Sequence, residues 1–260
     1  MNGNNNLVKQ LLRDGKKVSA AWLQGASPIN AEILARAGFD ALFIDMEHGP
    51  GNIMTLMSQI QAMQGHRAVP FVRTAWNDFV HIKQILDTGA FGLHVPYVNS
   101  AKEAMAAVSA AKYPPVGIRG IAGNTRAAAY GCNPMAYLEN ANAEICVIIA
   151  IETAEAVKNL DEILEIKELD GIFIGPMDLA TNMGCFANPS ADTVQRTIQV
   201  VEEKVFASDK FLATIGSSWD DAQQKYERGY QLILTLSDVK VLSQISAEQM
   251  REFNRQYSHR

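Results

Sequence analysis

Nothing in the 260-residue sequence is apolar over the roughly 18 to 20 residues needed to span a bilayer. The N-terminus, MNGNNNLVKQLLRDGKK, lacks the apolar core of a signal peptide. Cysteine is scarce. Cys132, Cys146 and Cys185 lie far apart and form neither a CxxC zinc pattern nor an even disulfide set, so reduced structural thiols are expected. Positive charge is not in excess: 23 Lys and Arg stand against 28 Asp and Glu, for a net charge of −5. General attraction to nucleic acid is therefore not expected. No low-complexity stretch, short repeat or shift of composition marks a second domain. What remains is the expectation of one cytoplasmic globular domain spanning residues 1–260, without membrane or nucleic-acid partners. Its 48% hydrophobic and 20% charged residues are ordinary for such a chain.

What is present is an alternation. VSAAWLQG (18–25) precedes PINAEILARAG (28–38), which has helical spacing and ends on glycine. FDALFIDME, AVPFVRTAW, GLHVPYV, ICVIIAIE, DGIFIG, FLATIGS and QLILTLS each begin a similar unit, with Ser100 the expected N-cap of the fourth helix. The strands are mostly continuous apolar runs, the mark of parallel strands buried on both faces. Eight such units in this length predict a TIM-type (β/α)8 barrel of the α/β class. An open doubly wound sheet is the structural alternative, weakened because the first turn lacks GxGxxG. One segment breaks the rhythm. Residues 113–144, YPPVGIRGIAGNTRAAAYGCNPMAYLENANAE, form a long connection before the fifth strand, read as a functional loop or an exposed insertion. A last helix is expected at about 239–257.

In a TIM barrel the chemistry gathers at the C-terminal strand ends. Strand two runs out into Asp45, Glu47 and His48, followed by the turn Gly49–Pro50–Gly51. Strand three ends in Arg73, strand five in Glu152, and Asp178 follows strand six. Taken singly, each has a plain structural reading: a rim salt bridge, a surface ion pair, or a cap for a helix beginning at Leu179. Together they bring carboxylates, an arginine and a histidine to one opening. Two carboxylates from different strands suit a hard divalent cation such as Mg²⁺ or Mn²⁺. His94, inside strand four, reads as packed or hydrogen-bonded. A Schiff-base aldolase would need a desolvated lysine in the pocket. No strand carries one near its C-terminal end, and only Lys240, after strand eight, stays open for that role.

FDALFIDMEHGP, VRTAWND, IKQILDTGA, KYPPVGIRG, IETAEAVKNL and GIFIGPMDLA together resemble the HpcH/HpaI aldolases, metal-dependent class II pyruvate aldolases of the phosphoenolpyruvate/pyruvate barrel superfamily. The resemblance runs from about residue 18 to about residue 235. It implies a carbon–carbon lyase that cleaves 4-hydroxy-2-oxo acids, sugar-acid derivatives among them, reversibly to pyruvate and an aldehyde through a metal-stabilised enolate. Glu152 and Asp178 would bind the cation, Mg²⁺ or Mn²⁺ with Co²⁺ a third candidate. Arg73 would place positive charge beside the developing oxyanion. His48 would be the acid/base, oriented by Asp87. Gly175 and the backbone around Met177 would contact the substrate carboxylate. The resemblance also implies a homo-oligomer, a hexamer of dimers that exchange the last helix.

Two residues depart from the pattern. The family commonly has Gln two residues before the metal-binding Glu, where this chain has Ala150, and Ala or Ser where it has Met177. The space left at Ala150 is expected to be filled by water or by Met177, and the departures bear on substrate choice or rate. Two rival functions follow: an oxaloacetate decarboxylase using the same enolate, and a weakly catalytic barrel with a binding or assembly role.

Overall fold

The computed structural model describes residues 5–257. Its strands are β1 (Val18–Leu23), β2 (Ala41–Asp45), β3 (Val69–Arg73), β4 (Gly92–Val95), β5 (Cys146–Ile151), β6 (Gly171–Ile174), β7 (Phe211–Ile215) and β8 (Leu232–Ser237). They pair in parallel in sequence order, and β8 returns to β1 through Val18 and Leu232. The sheet is a closed barrel, not an open doubly wound sheet.

The continuous apolar runs are explained by burial of both strand faces. Residues at one parity of each strand fill the interior, where Trp22, Phe43, Phe71, Phe173 and Phe211 pack with Cys146 and Ile148. Residues at the other parity, such as Leu23, Ile44, Val72 and Ile149, pack outward against the helices. Interior rings need room. A Cβ on Gly92 would lie 2.0 Å from the Phe71 ring, so glycine is the residue that admits this aromatic core. The turns leaving the strand tops end in side-chain caps: Ser27, Asn52, Asp78, Ser100, Thr153 and Ser218 each accept from a first-turn amide. Such caps contribute about 1 kcal/mol each and fix where each helix starts.

The N-terminal end of the barrel is closed by a helix the periodicity does not announce, Leu7–Arg13, whose Val8 and Leu12 join the interior cluster. Lys9 Nζ donates to the Ile145 carbonyl at 2.7 Å and pairs with Asp170. Lys112 Nζ reaches the same carbonyl at 2.7 Å, and burial, with Lys9 nearby, lowers its pKa to about 8. Residues 113–144 lie at this same end, because they link a helix to the start of β5. They are not a loose insertion. They contain the short helices Pro134–Leu138 and Ala141–Glu144 and bury Arg119, whose guanidinium stacks over Tyr113 and donates to Tyr137 Oη at 2.9 Å. At the opposite end of the sequence, helix Asp238–Tyr257 has no buried residue. It exposes Val239, Leu242, Ile245, Met250, Phe253 and Tyr257, mostly at spacings of three and four.

Candidate active site

Asp45 and Arg73 are register partners at the tops of β2 and β3, and both side chains point inward. Arg73 donates to Asp45 through two bonds, Nε to Oδ1 at 2.9 Å and Nη2 to Oδ2 at 2.6 Å. Asp45 is only 2% exposed. Burial would raise its carboxyl, but Arg73, the Gln24 amide and the His48 amide hold it below the usual range. Gln24 is oriented in turn by Ser237, whose hydroxyl donates to its Oε1 at 2.7 Å. The backbone amides of Glu47 and His48 also donate to Asp45 Oδ1, so one carboxylate fixes both the turn and the arginine. The Arg73 guanidinium lies 4.5 Å from the Trp22 ring centroid, and its Nη1 pairs with Glu47 at 3.1 Å.

Across the opening, Glu152 leaves β5 and is 7% exposed. Its Oε1 accepts from the Tyr97 amide at 2.6 Å. Burial, joined by the nearby charges of Asp178 and Glu47, raises its carboxyl to about 7. Gly175 lets β6 pass close by, since a Cβ there would lie 2.6 Å from Glu152 Oε2. Asp178 sits in the first turn of helix Pro176–Asn182. The first helical bond of that turn runs from Leu179 N to Gly175 O, which leaves the Met177 and Asp178 amides without an intrahelical partner. Arg73, Glu152, Gly175, Met177 and Asp178 all line one cavity of about 360 Å³ at the C-terminal end of the barrel.

The donors fit a hard divalent cation. Asp45 and Glu47 are committed to Arg73. Among the described residues, Glu152 and Asp178 have no lysine or arginine in an ion pair, and the Asp178 charge opposes ionisation of Glu152. Among the same residues, no three His, Cys, Asp or Glu side chains close into a complete protein cage. Two carboxylates with open positions are how oxygen-liganded cations that also hold substrate are bound.

The remaining candidates are placed differently. His48 stands at the rim with its side chain 66% exposed, its Nε2 3.8 Å from Glu47. Asp87 is not beside it. Asp87 ends helix Phe79–Asp87, which runs from the top of β3 back toward the base of β4, and it pairs with Arg119 at 2.8 Å. Within one chain the two lie at opposite ends of the barrel. Ala150 faces inward beneath Glu152, as period two requires. Met177 does not fill the space there, for it is 47% exposed at the cavity mouth. The ring centroids of His94 on β4 and Phe173 on β6 lie 4.3 Å apart, on the strands that flank β5, and Ala150 is 1% exposed. The sequence did not single out Trp22 or Gln24 for the site. Their signal is positional: Trp22 has the inward parity of β1, and Gln24 follows that strand's end.

A family described as HpcH/HpaI aldolase/citrate lyase matches residues 19–244. An Escherichia coli protein named 4-hydroxy-2-oxo-heptane-1,7-dioate aldolase is 40% identical over 252 residues, 96% of each chain. The solved structure of an HpcH/HpaI aldolase/citrate lyase family protein from Burkholderia cenocepacia J2315 superposes with a TM-score of 0.92 at 32% identity, over 96% of this chain and 100% of that one. The structure of the citrate synthase SbnG gives 0.84 at 28% identity, over 95% and 97%. Fold, strand-end chemistry and sequence agree: the chain belongs to the HpcH/HpaI aldolase/citrate lyase family.

Proposed function

We propose that this protein is a divalent-metal-dependent aldolase that cleaves 4-hydroxy-2-oxo acids reversibly to pyruvate and an aldehyde. The observation that carries the reading is the pair Glu152 and Asp178, oxygen donors in no ion pair among the described residues, facing a fixed Arg73 across one cavity. Glu152 and Asp178 would hold the cation, with Mg²⁺ and Mn²⁺ the fitting choices and Co²⁺ a third. When bound, such a cation supplies Lewis-acid polarisation of an oxo acid. Arg73 brings a preorganised positive charge to the oxygen where negative charge develops. The amides of Met177 and Asp178, made approachable by Gly175, receive the carboxylate. His48, at the rim where the aldehyde half must leave, exchanges the proton of the substrate hydroxyl.

The test is pyruvate release from a panel of 4-hydroxy-2-oxo acids, with and without chelator. Turnover that chelator removes and Mg²⁺ or Mn²⁺ restores is expected. Carbon dioxide release from oxaloacetate without any aldol cleavage would move the assignment to a decarboxylase. Inactivity on every substrate with the cation bound would leave only a binding or assembly role. The three cysteines are unbridged, in keeping with a reducing cytoplasmic setting.

Glu152 gives the site a defined pH response. Its folded pKa, about 7, lies above the ordinary 4.5, so the metal-free fold binds that proton more tightly than the unfolded chain does. This contribution to stability is complete below the unfolded value and is lost as pH rises through about 7. A cation must displace the same proton. Its apparent affinity is therefore expected to rise by up to about tenfold per pH unit below about pH 7 and to level off above it. Chelator-competition titrations across this range check the slope, and a flat profile would remove Glu152 as a ligand.

His48 and Asp87 can orient one another only between chains, because a single barrel holds them at opposite ends. The exposed apolar stripe of helix Asp238–Tyr257 supports a homo-oligomer, and we read the assembly as a hexamer of helix-exchanging dimers. His48→Ala and Asp87→Asn are each expected to lower aldol cleavage, His48→Ala by about 10²–10⁴-fold. Dissociating and reassembling the two variants together should recover activity, since some sites then receive both native residues. Folded, assembled mixtures that stay inactive would count against the pairing.

A further inference from the structure

Among the described residues, His94 is a buried polar side chain at the candidate site to which the proposed chemistry gives no role. It is 2% exposed, and neither ring nitrogen has a hydrogen-bond partner among the described residues. A buried imidazole without partners costs stability, and native structures seldom keep one without a reason. Its packing does not supply the reason. Trp22, Phe43 and Phe173 surround the ring at centroid distances of 6.0, 6.2 and 4.3 Å, contacts that an apolar side chain of the same volume would make as well.

Its position does. His94 lines the same cavity as Arg73, Glu152 and Asp178, and its two ring nitrogens are closed to solvent there, so a turn of the ring is needed to present an N–H to the cavity. It is the register partner of Arg73 on the adjacent strand, so the imidazole and the guanidinium stand side by side on the inner face. Burial, with the Arg73 charge beside it, lowers its pKa to about 3. The ring is therefore neutral under working conditions and offers one N–H donor and one acceptor. Ala150, on the strand between His94 and Phe173, is 1% exposed and offers the cavity no polar group.

We propose that His94 is a specificity-determining residue that donates a hydrogen bond to the bound oxo acid from the barrel floor beside Arg73, supplying from β4 the polar contact that Ala150 cannot supply from β5. This rests on the oxo-acid reading of the site. It also changes the expectation for residue 150. Ala150→Gln alone inserts a side chain at a position that is 1% exposed, so it lowers affinity. Pairing it with His94→Leu, which keeps the volume of the ring, frees no room for the glutamine.

The experiment measures pyruvate binding to the Mn²⁺-loaded protein by calorimetry, together with steady-state kinetics, for wild type, His94→Leu, Ala150→Gln and the double variant. His94→Leu is expected to weaken pyruvate binding by about two- to twelve-fold, the range of one neutral hydrogen bond. The loss should fall mainly on KM, because the contact is made equally in the ground and transition states. Its melting temperature should rise, since two unpaired buried nitrogens are removed. Adding pyruvate to wild type should shift the His94 ring ¹⁵N resonances. The double variant should bind no more tightly than His94→Leu alone. His94→Leu binding pyruvate as tightly as wild type, with unmoved ring resonances, overturns the role of His94 while leaving the aldolase reading intact. A wild-type protein that binds Mn²⁺ but no pyruvate takes both down.

Discussion

Asp178→Ala will leave a folded barrel whose metal-dependent turnover is lower by at least about 10²–10³-fold, the scale of losing one preorganised electrostatic group from an active site. The fold should tolerate the change. Asp178 is exposed in the first turn of its helix, and substitutions at such positions usually stay within about 0.5 kcal/mol. The site should not. With Asp178 gone, Glu152 faces the cavity as a single carboxylate and loses a neighbour that opposes its ionisation. Its pKa should fall, so the variant separates two effects: easier deprotonation of Glu152, and weaker cation binding despite it. Glu152→Gln is the companion. Its side-chain oxygen can still accept from the Tyr97 amide, and the substitution removes a charge that burial disfavours. Stability above about pH 7 should hold or increase while turnover is lost. Manganese affinity, melting temperature and pyruvate release measured together decide the matter. Either variant keeping wild-type metal affinity and rate would remove its residue from the ligand set.

That Arg73, Glu152 and Asp178 share one opening was legible in the sequence, because a charged residue that ends an apolar run stands out against it and barrel topology sends all such ends to one rim. The barrel was legible for a related reason: strands buried on both faces cannot hide their periodicity under polar residues. Helix Leu7–Arg13 was not, because seven residues carry little periodic signal and its burial depends on where β5 and β6 begin. The separation of Asp87 from His48 was implicit in chain order, since a helix leaving the top of β3 must end at the base of β4. Resemblance set the two side by side in function without saying that one chain cannot set them side by side in space. Residue 150 was a different kind of limit. That Ala150 leaves a gap follows from its size and parity. That a histidine on β4 and a phenylalanine on β6 bring their rings within 4.3 Å of each other inside the barrel is a fact of three-dimensional packing, and no local pattern encodes it.

Arg73→Ala should combine a large loss of activity with a large loss of stability, and the two can be separated. Arg73 carries both of the short bonds that compensate the buried Asp45 carboxylate. Removing one partner of such a pair typically costs about 3–5 kcal/mol, because the other charge stays buried and unpaired. Against a total stability of about 5–15 kcal/mol this is a severe lesion. For a chain of this size it corresponds to a fall in melting temperature of roughly 6–20 °C. The pH dependence gives the sign. Asp45 is held below its ordinary pKa in the native protein, so its stabilising contribution is present above the unfolded value and is lost as pH falls through the folded one. Arg73→Ala should weaken that acid-side loss, since the carboxylate then keeps only the Gln24 side chain and the Glu47 and His48 amides as partners. Arg73→Ala combined with Asp45→Asn removes the orphaned charge as well, and much of the lost stability should return as a favourable coupling between the two positions. Activity should not return, because the positive charge opposite Glu152 and Asp178 is still missing, and a deficit of about 10²–10³-fold is expected to persist. Arg73→Lys tests geometry against charge: an ammonium keeps the charge but cannot reproduce the two-bond fork to Asp45, so it should recover part of the stability and little of the rate. If the stabilised double variant instead turned over like wild type, Arg73 would be a structural partner of Asp45 alone, and the charge that meets the oxo acid would have to come from elsewhere on the rim, with Lys240 the next residue to replace.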